Sequence, residues 1–121
     1  MNHPESSEIK RLLIAEWEDQ CELVGPQTLD EIVSVAESGG DERQFRAAEG
    51  GANFSAPEVL KLLIEGATLV RICIGIWKDW KGSPKKPDKT AFIKQVLASG
   101  ASALPPTIQE HIEALFDRLQ Q

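Results

Sequence analysis

Ser55–Trp80, SAPEVLKLLIEGATLVRICIGIWKDW, is the longest apolar run of the chain, and its reading decides the fold. Ser55 can accept from first-turn backbone N–H groups, and Glu58, three residues on, can reach back to complete a capping box. Pro57 suits the first turn, where its missing N–H is not needed, and Glu58 sits at the positive end of the helix dipole. At 100° per residue, Val59, Leu62, Leu63, Leu69, Val70, Cys73, Ile74, Trp77 and Trp80 gather on one half of the wheel. Lys61, Glu65, Thr68, Arg71, Lys78 and Asp79 fall on the other. The spacing predicts an amphipathic helix over residues 56–80, about 37 Å long at 1.5 Å per residue.

A strand competes for part of this stretch. Val70, Ile72, Ile74 and Ile76 alternate over residues 68–77, a β pattern, and Gly66 or Gly75 would weaken a long helix. That alternative gives an α+β fold. It is disfavoured because charged and apolar residues keep helical register across Gly66, and no second strand offers the pairing that backbone groups require.

Outward from this core, the other segments also read as helices. Pro4 and Glu5–Glu8 open a first helix carrying Ile9, Leu12, Leu13, Trp17, Cys21 and Val24 at helical spacing, stopped by Gly25-Pro26. Glu16, Glu18, Asp19 and Glu22 fall in its C-terminal half, the wrong end for negative charge, so a basic group is expected nearby. Thr28–Glu31 forms a second capping box, for a helix through Ile32, Val33 and Ala36 that ends at Gly39-Gly40. Asp41 caps a weaker segment with Phe45 and Ala48, closed by Gly50-Gly51. Lys81–Lys89 reads as a basic loop, and Asp88 as the cap of a helix carrying Ala91, Phe92, Ile93, Val96 and Leu97, stopped at Gly100. Thr107–Glu110 is a third capping box, opening a seam of Ile108, Ile112, Leu115, Phe116 and Leu119. These elements predict an all-α, single-domain bundle of five to six helices around a long central helix, spanning residues 1–121.

Charge divides the chain. Residues 1–65 carry 5 basic and 14 acidic side chains, net −9; residues 66–121 carry 8 and 5, net +3; together these give the overall −6. The acidic part is the N-terminal stretch 1–52, and the basic part follows with the central helix over 54–121. An acidic balance argues against general nucleic-acid binding. Self-association through the acidic first helix and the basic loop is one consequence of the asymmetry. Cys21 and Cys73 both fall on apolar faces and read as buried free thiols of a reducing compartment. The N-terminus lacks an apolar signal segment, and the longest charge-free piece of the central run, Ile72–Trp77, is far short of a membrane span. The chain is therefore expected to be soluble and cytoplasmic.

The residues carry no signature of catalysis, cofactor or metal. His111 has no second histidine or cysteine at helical ligand spacing, so it reads as a surface histidine. No nucleophile elbow or phosphate loop occurs. One segment stands out. Trp77, Lys78, Trp80 and Lys81, running into Lys85, Lys86 and Lys89, set indole rings beside cations. The simpler reading has the two indoles capping the core and the lysines compensating the helix dipole. As a candidate surface, the segment suits a partner protein, making the chain a non-enzymatic interaction module: an adaptor, regulator or inhibitor. Its alternative occupant is an anionic membrane or single-stranded nucleic acid bound through residues 77–89.

Overall fold

A computed structural model of the chain describes residues 4–38, 57–81 and 88–120. The described residues are helical, with no strand among them: α1 (Pro4–Glu16), α2 (Glu18–Glu37), α3 (Pro57–Lys81), α4 (Lys89–Ala98), a 3-10 turn (Ala101–Ala103), α5 (Pro106–Gln109) and α6 (His111–Gln120). The Ser55 capping box, the Asp41–Gly51 segment and most of the basic loop lie outside the described residues.

Helix α3 runs unbroken for 25 residues through both Gly66 and Gly75. The strand alternative for residues 68–77 is thereby corrected. Helices α1, α2, α4, α5 and α6 all pack against α3, so it is enclosed on more sides than an amphipathic wheel implies. Leu60, Ile64, Ala67 and Ile76, absent from the sequence-derived face, are buried alongside Leu63, Leu69, Val70, Cys73 and Ile74. Alternating β-branched residues are tolerated because both faces on which they land are covered. Thr68 turns its hydroxyl back to donate to Ile64 O at 2.9 Å.

The first predicted helix is two. The chain departs from helical geometry at Trp17 (φ −128°, ψ 50°), although Trp17 N–H still donates to Leu13 O and Cys21 N–H to Trp17 O, each at 2.9 Å. The break relieves the dipole conflict read from the sequence: Glu18 and Asp19 occupy the first turn of α2, the end that favours negative charge. Gly25 then bends α2 with φ 84° and ψ 163°, a left-handed value that disfavours any side chain.

Two capping boxes are displaced. Pro26 and Pro106 each set a helical φ ahead of the threonine, so Thr28 and Thr107 lie inside helices instead of capping them. Asp88, by contrast, caps α4 as its position predicts, its Oδ1 accepting from Ala91 N–H at 2.7 Å. Gly100 closes the end of α4 at φ 117°.

Gly75 has the opposite character to the bends. A Cβ there would meet nothing within 4 Å, and its φ is helical. Gly75→Ala is expected to stabilise the fold by about 0.5–1 kcal/mol, read as a rise in the urea midpoint at constant m-value.

Candidate functional site

Of the Trp/Lys segment, the structure describes the side chains of Trp77, Lys78, Trp80 and Lys89. Trp77 is half-buried with its ring edge-on to Phe116 (centroids 5.9 Å apart, 83°), and Trp80 meets Phe92 in the same manner (5.6 Å, 71°). Phe92 and Phe116 are 4.9 Å apart, so four rings form a continuous apolar strip from α3 to α4 and α6. Lys78 is exposed. Lys89 bridges α4 to α6, with Nζ 3.2 Å from Asp117 Oδ1 and 3.5 Å from Glu113 Oε1. The hydrogen bond that Lys89 donates to Asp117 is the main reason its ammonium pKa is raised. The side chains of Lys81, Lys85 and Lys86 lie outside the described residues.

A second cluster was hidden in the sequence by a separation of 95 residues. Glu16, the last residue of α1, has a side chain only 6 % exposed. Its Oε1 accepts from Arg118 Nε at 2.5 Å, and its Oε2 lies 2.7 Å from His111 Nδ1. A carboxylate only accepts, so Nδ1 carries the proton. Arg118 also donates from Nη2 to Ala15 O at 3.2 Å, satisfying a carbonyl at the broken end of α1. The His111 ring packs at a tilt of 43° against Trp17, centroids 4.4 Å apart. His111 is therefore not the isolated surface histidine read from the sequence, and the basic partner expected near Glu16 is supplied by α6. With both carboxylate oxygens committed, the cluster acts as a brace between α1 and α6. Among the described residues, no group of three His, Cys, Asp or Glu side chains is placed to hold a metal.

The thiols sit in the core and are free. Cys21 donates to Leu13 O at 3.7 Å. Burial pushes the Cys21 thiol from the ordinary 9.0 to about 11, and Cys73 to about 12. The unfolded chain thus releases these protons from pH 9 upward while the fold retains them to pH 11–12. Stability should accordingly fall with rising pH across that window, by up to about 1.4 kcal/mol per thiol per pH unit. Urea titrations between pH 8 and 11 check this. The decline should be shallower in Cys73→Ala, a comparison that separates the thiol from the lysines titrating in the same range.

A further feature is an open groove of about 450 Å³ between α1 and the bend of α2. Ile14, Cys21, Pro26 and Leu29 supply its apolar lining, and Glu18 and Glu22 stand at its edge. Lys10, which also lines it, is held by Asp30 at 2.7 Å. Glu18 and Glu22 are exposed, lie one helical turn apart, and have no ion-pair partner among the described residues. Ile14 is 37 % exposed, and nearby in sequence Leu23 is 71 % exposed, the two large apolar side chains left outside the core among the described residues. At 100° per residue Leu23 falls between Leu12 and Ile9 on the apolar stripe of the first predicted helix, and Ile14 falls at its margin beside Cys21, so the spacing did not signal either exposure.

The chain matches no protein-family model, and no curated protein or solved structure shows significant similarity to it. Among the described residues, no helix is long and apolar enough to cross a membrane.

Proposed function

We propose that this chain is a non-enzymatic helical interaction module, an adaptor, regulator or inhibitor that docks a partner protein on the α1/α2 face. The observation that carries the reading is the groove: Ile14 remains exposed beside an apolar lining whose acidic edge has no partner within the described fold. Exposed apolar surface rimmed by polar groups is the usual mark of a binding site on a small protein. Two further features support a binding role over catalysis. The buried carboxylate is consumed by Arg118 and His111, and burial keeps both thiols neutral near pH 7, where a nucleophile needs thiolate. The free thiols also favour a reducing, cytoplasmic setting.

Affinity capture from the native host, with mass spectrometry, tests the reading when wild type is compared with Ile14→Asp. A partner held by wild type and lost with the variant, at unchanged melting temperature, is the expected result. Retention of every captured protein by Ile14→Asp would remove this face from consideration.

A further inference from the structure

The chemistry of the groove also describes its occupant, an inference that rests on the docking role proposed above. The apolar lining, from Ile14 across Pro26 to Leu29, asks for an apolar counterpart. Its edge asks for positive charge, because Glu18 and Glu22 lie on one face of α2 while the one cation lining the groove, Lys10, is already taken by Asp30. Among the described residues, Lys89 is spent on Asp117 and Glu113, and Arg118 on Glu16. The groove runs between helices and has no sheet edge, so a strand would gain no backbone pairing there, whereas a helix packs with its side chains between those of α1 and α2.

We infer that the α1/α2 groove docks a cationic amphipathic helix of a partner protein, with its apolar stripe on the exposed Ile14 and Pro26 and its Lys or Arg side chains against Glu18 and Glu22. The Glu18–Glu22 spacing of four residues matches cations at i and i+4 on the incoming helix. Charge at this edge acts over the ~8–10 Å screening length, so it selects the sign of the partner despite the basic C-terminal half of the chain.

The test uses the full chain and two fluorescein-labelled peptides of about 14 residues, roughly four helical turns. One is amphipathic in Leu and Lys; the other has Glu at every Lys position. Fluorescence anisotropy should show saturable binding of the Leu/Lys peptide and none of the Leu/Glu peptide. Glu18→Lys/Glu22→Lys should weaken binding about tenfold, the scale expected for two exposed charge pairs, and Ile14→Asp should abolish it, both at unchanged melting temperature. Equal binding of the two peptides, or Leu/Lys binding indifferent to the charge reversal, would overturn the inference. Failure of both peptides to bind, with partner capture still dependent on Ile14, would reject the cationic helix and leave the docking role standing. Partner capture independent of Ile14 would reject both. A dimer in sedimentation velocity that Ile14→Asp dissociates would instead identify the occupant as a second copy of this chain, and would overturn the inference.

Discussion

Gly66→Leu should destabilise the protein by roughly 3 kcal/mol or more, enough to bring a marginal domain of this size close to unfolding at ordinary temperature. Gly66 is buried where α3 crosses the break between α1 and α2. A Cβ there would lie 3.1 Å from both Cη2 and Cζ3 of Trp17 and 3.3 Å from Leu13 Cδ1. Those contacts are already tight for one carbon, and leucine adds three more against a ring that is itself held by His111. Gly66→Ala tests the same contact more finely. Alanine gains about 1 kcal/mol of helix propensity, while overpacking costs about 1–3 kcal/mol, so a net loss is expected. In a Trp17→Phe background the two clashing ring atoms are gone, and Gly66→Ala should become stabilising. Denaturant titration of the four proteins in this cycle reads the sign change. A neutral or favourable Gly66→Ala in the wild-type background would mean that Trp17 does not fill this site.

Arg118→Leu should cost about 2–3 kcal/mol, and the companion change Glu16→Leu should recover part of that loss when both are made together. The reason is asymmetry. Removing the guanidinium leaves a carboxylate that is 6 % exposed with His111 as its remaining side-chain partner, and a buried charge stripped of a partner is costly. Removing both partners leaves two apolar side chains between α1 and α6, at the expense of the Arg118 bond to Ala15 O. A coupling energy of about 1–3 kcal/mol between the two sites is expected from a double-mutant cycle. Additive losses would show that the ion pair does not join α1 to α6.

Both predictions concern contacts that the sequence concealed, whereas the architecture around them was legible. Charges at Lys61, Glu65 and Arg71 kept helical register through Gly66, and that periodicity predicted α3 correctly. Asp88 and Gly100 bounded α4 by local chemistry alone, and each does so in the structure. The Trp17 break carried no such mark. It has neither glycine nor proline, and it follows from the fit of one indole against Gly66 and His111, residues 49 and 94 positions away by number. Thr28 and Thr107 misled because Pro26, inside α2 after its bend, and Pro106, at the start of α5, each place the threonine within helix already under way. At the candidate site, aromatic and lysine content drew attention to residues 77–89; the two indoles pack near-perpendicular to Phe116 and Phe92, and the side chains of Lys81, Lys85 and Lys86 lie outside the described residues. The groove carried no mark in the spacing, because on an unbroken first helix Leu23 falls on the apolar stripe and Ile14 at its margin.

The central claim is that one continuous helix, Pro57–Lys81, organises the molecule and holds α1 and α2 in the arrangement that forms the groove. Backbone NMR with amide hydrogen exchange tests it most directly. Helical Cα shifts without interruption from Val59 to Trp80, with the slowest exchange around Leu63–Ile74, are the predicted result. Extended-chain shifts over residues 68–77, or fast exchange at the amides following Gly66, would contradict it.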